Sequence, residues 1–254
     1  MDQNVRTPPK LVKALNRSGL PRGRALYLHV RLKGVAASLE QTYPRAARSL
    51  LAAFAAFDPE AVLVPSFTYS YTSTRVFDVL STPSEVGRFS EEIRLIPDVY
   101  RTNNPLFSVL CPIGNIANWG ADQTTAFGSN CLDEHMHKRD AVIVTVDIDP
   151  YVATHVHYLE RLTQVPYRCD RHFPGEVRLA DGRSRRMDYT FFCRAKAASV
   201  GLDWPKIKAR LLKQGALRRE TCMGMEFSWI SCRSMFQALV PELERDPYFL
   251  VRPL

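Results

Sequence analysis

Two strand-like runs bracket one long helical pattern near the start of this chain, and that order narrows the folds open to it. Residues 25–32, ALYLHVRL, alternate and are rich in β-formers, while residues 61–71, AVLVPSFTYSY, begin as a fully buried strand broken at Pro65. Between them, residues 43–57, YPRAARSLLAAFAAF, place apolar side chains at helical spacing behind Pro44, whose fixed φ suits a first helical turn. Strand, helix, strand is the βαβ signature of an α/β fold. The later pattern agrees. LFSVLCPIG (106–114) reads as another strand, and DAVIVTVDID (140–149) is the strongest strand in the chain. YVATHVHYLERL (151–162) follows as a helix with Asp149 or Pro150 at its start. VPYRCDRHF, GEVRLADG and RRMDYTFFCR read as a β-meander insertion over about 163–194, with ADGR as a turn. DWPKIKARLLKQGAL (203–217) is an amphipathic helix stopped at Gly215, and SWISCRSMFQALVPEL (228–243) is the last helix before a C-terminal strand or tail. Residues 1–23, basic and punctuated by Pro8, Pro9, Pro21 and Gly23, suit a short helix and a loop. The expectation is a single α/β domain over residues 1–254, a mixed central β-sheet flanked by helices.

A chain of 254 residues that is 46% hydrophobic can bury a sizeable core. Its formal net charge of +8 favours anionic partners or a solvated basic surface. The basic positions are scattered rather than interleaved with aromatics, which leaves nucleic acid out of the expected partners. The six cysteines form no CxxC, so they read as buried thiols of a reducing compartment. MDQNVRTPPK lacks the apolar core of a signal peptide, and the longest apolar stretch, Leu50 to Phe57, is too short to span a bilayer. The protein is therefore expected in the cytoplasm, without a membrane partner. No P-loop and no GxGxxG anchors nucleotide hydrolysis or dinucleotide redox chemistry.

HVHYLER carries the best candidate chemistry. His157 and Glu160, three apart, share one helical face just after a strand end, where a carboxylate can hold an imidazole for general-base work. The alternative is an ordinary amphipathic helix with both groups in solvent. His155, two residues earlier, points to another environment. In CLDEHMHKRD, Asp133, Glu134, His135 and His137 tempt a metal reading, but histidines at i and i+2 cannot share a helix face, and a solvated charged turn is expected instead. No metal is implied. In STPSEVGRFSEEIR, Ser84 reads as an N-cap with Glu85 in the first turn, and the helix runs towards Arg94. Arg101 follows in a polar loop.

Several stretches together resemble the aminoglycoside 3-N-acetyltransferase family of acyl-CoA-dependent N-acyltransferases, which is unrelated to the GNAT fold. They are Pro65-Ser66-Phe67-Thr68-Tyr69; Thr82, Pro83, Ser84, Gly87, Glu91 and Arg94; Arg101, Thr102, Pro105, Phe107, Ser108 and Val109; Phe127-Gly128; and His157, Glu160 and Val165-Pro166-Tyr167-Arg168. They stand in the family's order over roughly residues 25–170. The sequence departs at His29-Val30-Arg31-Leu32, where the family has H-S-S-L, at Asn104, where a histidine is common, and at Ser129, where an acid often follows F-G. The resemblance implies acetyl-CoA, or another acyl-CoA, as co-substrate, with His157 as general base and Glu160 stabilising its imidazolium. It assigns the CoA side to His29, Arg31, Thr68, Ser84, Arg101, Phe107 and Ser108, and the acceptor side to Tyr69, Asn104, Tyr167 and Arg168. Ser84 and Arg101 would form a wall beside the thioester. The implied partner is a small-molecule amino-sugar acceptor, and a homodimer is left open. FTYSYT, NNPLFSV and HYLERLTQVPYR look closer to the branch associated with surface polysaccharides than to antibiotic-resistance enzymes. The +8 chain, with Arg168, Arg171 and Lys33 near the matched motifs, favours a nucleotide-linked amino sugar over a polycationic aminoglycoside. The alternatives are an aminoglycoside-resistance enzyme and an inactive, ligand-binding member of the family.

Overall fold

The computed structural model describes residues 8–119, 123–148 and 151–254. Residues 1–7 and the helix start expected at Asp149 or Pro150 lie outside them. The first half comprises α1 (Pro9–Arg17), β1 (Ala25–Val30), α2 (Leu32–Leu39), α3 (Tyr43–Ala55), β2 (Ala61–Pro65), α4 (Tyr71–Thr74), β3 (Val76–Asp78), α5 (Arg88–Arg94), β4 (Tyr100–Arg101) and β5 (Val109–Ile113). Next come β6 (Thr125–Ala126), α6 (Leu132–Lys138), β7 (Val142–Val146), α7 (Val156–Leu162), β8 (Arg168–Arg178) and β9 (Ser184–Arg194). The chain closes with β10 (Val200–Leu202), α8 (Trp204–Lys213), β11 (Arg218–Cys222), β12 (Met225–Ser231), α9 (Cys232–Arg245) and β13 (Val251–Pro253).

Among the described residues the central sheet runs β11-β12-β7-β1-β2-β5-β4. Its middle is parallel, β1 pairing with both β2 and β7, and its flanks are antiparallel. Alternation along the middle strands builds two cores. Leu26, Leu28, Val62, Val64, Val142 and Val144 face one side and pack with Leu50 and Phe54 of α3. Tyr27, Leu63 and Ile143 face the other and pack with Met235 and Leu239 of α9. Both faces are covered, which is why these strands read as continuous apolar runs. A second sheet, β3-β8-β9-β6, packs its apolar side chains into the α9-side core through Phe77, Phe173, Val177 and Tyr189.

The expected three-strand meander is one long hairpin of β8 and β9. The segments VPYRCDRHF and GEVRLADG, read as separate, form one strand, and β8 runs straight through Pro174-Gly175. Gly175 is needed because a Cβ there would collide with the Arg75 carbonyl and the Tyr71 hydroxyl where β8 lies along β3. The hairpin turn lies at Gly182, within the expected ADGR turn, with φ of 83° and the Leu179 amide donating to the Arg183 carbonyl. Other expectations need correcting. Residues 225–231 are a strand that pairs with β7, and only the following stretch is helical. Residues 132–138 form a helix rather than a solvated turn, with the Cys131 sulfur accepting from the Glu134 amide. Helix α5 begins after Gly87, at φ 110°, instead of at Ser84, whose amide donates to the Glu91 carboxylate. Helix α7 begins at Val156, five residues later than its pattern indicates.

Candidate active site

Helix α7 carries His157 and Glu160 on one face, His157 partly exposed and Glu160 buried. The His157 Nδ1 lies 2.6 Å from Glu160 Oε2, with His157 one-fifth exposed and Glu160 fully buried. Tyr167 in the turn after the helix and Arg168 at the start of β8 complete the arrangement. Tyr167 donates from its hydroxyl to Glu160 Oε1 at 2.9 Å, and Arg168 Nε lies 2.7 Å from Oε2. Arg168 Nη2 also lies 2.8 Å from His157 Nδ1, and its Nη1 donates to the Phe192 carbonyl. Burial alone would push the Glu160 carboxyl up; the imidazole, the guanidinium and the phenol reverse this and hold it below the usual carboxylate range. Burial and the Glu160 carboxylate push the Tyr167 phenol up, so it remains a donor. A carboxylate fixed in this way accepts from Nδ1–H and leaves Nε2 as the basic nitrogen. The ring also packs 5.4 Å from Phe127.

His157 and Arg168 line a cleft of about 670 Å³ together with Tyr69, Phe107, Arg171, Phe173, Phe191, Arg194 and Trp204, among others. No Asp or Glu stands among its described lining residues. Period-two alternation puts Arg171 and Phe173 of β8 on the face shared with Phe191 of β9. Arg194, Phe173, Phe191 and Trp204 were not singled out from sequence; the alternation of the two strands was the available signal for Phe173 and Phe191, hidden once they were read as three, while Arg194 at the end of β9 and Trp204 at the start of α8 carried no such signal.

The remaining sequence candidates divide by burial. Tyr69 and Phe107 reach the cleft, their rings 6.2 Å apart. Arg101 does not: it is 4% exposed and donates to Ser108 Oγ and to the carbonyls of Ser66, Val79 and Thr82. It clamps loops together and is no free cation beside a thioester. Thr68 and Ser108 are fully buried, bonded to the Pro105 and Ser66 carbonyls. Asn104 accepts from the amides of Leu106 and Phe107 and shapes its own turn, and Tyr167 faces Glu160 instead of an acceptor. His29, Arg31 and Ser84 are not among the cleft's lining residues; the side-chain Nε2 of His29 and Oγ of Ser84 are buried with no partner among the described residues. Arg31 is exposed just before α2.

His155 is fully buried and belongs to a different network, its Nδ1 lying 3.0 Å from Asp133 Oδ1. Among the described residues no group of three or more His, Cys, Asp or Glu could hold a metal ion, and no helix is long and apolar enough to cross a membrane.

Comparison with known proteins completes the assignment. No curated protein sequence matches. The chain is similar in fold to the aminoglycoside acetyltransferase AAC(3)-IVa apoenzyme, with a TM-score of 0.72, 19% identity, and coverage of 96% of this chain and 90% of that one. It is similar to AAC-IIIb in binary complex with CoASH, with a TM-score of 0.75, 17% identity and coverage of 92% and 95%. It also resembles sisomicin-bound AAC-VIa, with a TM-score of 0.73, 20% identity and coverage of 93% and 97%. The family model described as aminoglycoside 3-N-acetyltransferase matches residues 42–244, most of the chain, and the chain therefore belongs to this family of acetyl-CoA-dependent N-acetyltransferases.

Proposed function

We propose that this protein transfers the acetyl group of acetyl-CoA directly to a primary amine of an amino sugar, with His157 as general base. The observation that carries this reading is the His157–Glu160 pair at the wall of the cleft, 2.6 Å apart. A protonated amine is no nucleophile, so the amine nitrogen attacks the thioester carbonyl as its N–H proton passes to His157 Nε2. The C–S bond then breaks, the departing thiolate takes the proton from the imidazolium, and the products are the amide and CoASH. Glu160 stabilises the imidazolium while Tyr167 and Arg168 keep its carboxylate in place. No serine or cysteine nucleophile is needed, and both substrates are bound together. On this reading the reaction takes place in the cytoplasm, where acetyl-CoA is supplied.

For the acceptor, the solved relatives favour an aminoglycoside, since one of them is bound to sisomicin. A second reading, a nucleotide-linked amino sugar used for a surface polysaccharide, has the arginine-lined cleft in its favour. The test is CoA release from acetyl-CoA in the presence of sisomicin, UDP-linked amino sugars and free amino sugars, with wild-type and His157→Ala proteins. Amine-dependent release that disappears in the variant is expected. Release from no amine, or release that survives in the variant, would remove the proposed reaction.

A further inference from the structure

At the cleft end of the hairpin, Arg168 and Arg194 stand directly opposite each other across β8 and β9. Like charges facing each other on a ladder are unfavourable unless something of opposite sign lies between them. Glu160 answers Arg168, but its other oxygen is held by Tyr167. Asp170, the next carboxylate along the strand, is turned to Arg161 at 2.7 Å. Arg171 lies over the Phe173 ring, 5.4 Å from its centroid. Neither Arg171 nor Arg194 has an ion-pair partner among the described residues, both are exposed, and both line the cleft that holds His157. Phe191 and Trp204 line the same space.

We infer that Arg171 and Arg194 form an anion-binding subsite for the amine acceptor, so that the sugar amine offered to His157 carries a phosphate or diphosphate. This rests on the cleft being the acetyl-transfer site. The guanidinium fork matches phosphate oxygens in pairs, and aromatic faces accept a sugar or base ring beside it. A polycation in the same cleft would meet Arg171 and Arg194 with no carboxylate among the described lining residues, the buried Glu160 being taken up by His157 and Arg168. Acetyl-CoA also carries phosphates, so the two sources must be separated by measurement.

Calorimetric binding of UDP-glucosamine and glucosamine 6-phosphate, against glucosamine, sisomicin and acetyl-CoA, separates them. The proteins are wild type, His157→Ala, and the doubles Arg171→Ala/Arg194→Ala and Arg171→Lys/Arg194→Lys. The phosphate-bearing probes should bind wild type and His157→Ala alike, and bind more weakly as salt rises. Losing two charge-assisted contacts should weaken them about tenfold or more in the alanine double, with partial recovery in the lysine double. Acetyl-CoA affinity should stay within about twofold. Unchanged probe affinity in the alanine double would overturn the subsite, as would tighter binding of sisomicin than of the phosphate probes. An equal loss of acetyl-CoA affinity would hand the arginines to CoA and overturn it too. Intact binding by His157→Ala without turnover supports the subsite, because binding is read independently of the acetyl-transfer step.

Discussion

A single nitrogen, His157 Nδ1, meets a carboxylate at 2.6 Å and a guanidinium at 2.8 Å, and only the carboxylate can accept from its N–H. Replacing His157 with Ala should lower turnover on the order of a hundredfold to ten-thousandfold in a steady-state assay, with the circular dichroism spectrum unchanged. Glu160→Gln tests the partner. An amide can donate to Nδ1 and invert the tautomer while Arg168 loses its counter-charge, so kcat should fall on the order of a hundredfold or more with little change in acetyl-CoA KM. A variant of either kind that kept normal turnover would take the pair out of the reaction. This pair was legible from the chain because i and i+3 lie on one helical face whatever the surroundings. The contacts of Tyr167 and Arg168 were not, since they return to Glu160 across a turn that sequence spacing does not describe. Arg101 shows the converse failure: a charged residue in a polar loop looks available, and only tertiary burial reveals that its donors are taken.

At the scale of elements, that buried guanidinium makes a prediction of its own. Arg101→Ala would take the donor from the Thr82 carbonyl and leave the Ser66 carbonyl with Ser108 Oγ alone, and a buried group left unsatisfied costs about 1–3 kcal/mol. The expected outcome is a fall in thermal midpoint, with acetyl-CoA KM unchanged in the protein that remains folded. A selective rise in that KM would return Arg101 to the ligand. Gly175→Ala is the matching test of the hairpin. Its methyl group must displace the Arg75 carbonyl or Tyr71, which should cost about 1–3 kcal/mol and loosen β3 from β8, seen as faster amide exchange in residues 76–78. The parallel β1, β2 and β7 were readable because they are buried on both faces. Strand β12 was not, because SWIS blends into an amphipathic helix, and pairing with β7 decides the matter.

Across the whole molecule, stability should peak between two titrations. On the acid side, Glu91 is held below its ordinary value first by its hydrogen bonds from Arg94, and Glu160 is held low against its burial by His157, Arg168 and Tyr167. Stability from depressed carboxylates is present above their unfolded values and is lost as the pH falls through the lowered ones. On the alkaline side, burial opposes a charged His155, but Cys232 and the Asp133 carboxylate outweigh it and raise the group to about 10. That contribution is complete below about pH 6.5, the ordinary imidazole value, and disappears as the pH rises through about 10. Urea midpoints measured from pH 6 to 10 should decline in the wild type and stay flatter in His155→Gln; parallel curves would dismiss the ion pair as the cause. The sheet order has a different consequence, for the time at which the protein can exist at all. Strand β1 ends at Val30, yet the strand that fills its second edge starts at Val142, and that strand's own outer partner starts at Met225. A chain emerging from the ribosome therefore carries the β1–β2 pair with an apolar edge open until past the midpoint of synthesis, and then the β7 edge open until Met225–Ser231 has been made. Such separation slows folding and exposes the nascent chain to association with its neighbours, so productive expression should depend on synthesis rate and on chaperones more than the stability of the finished enzyme would indicate.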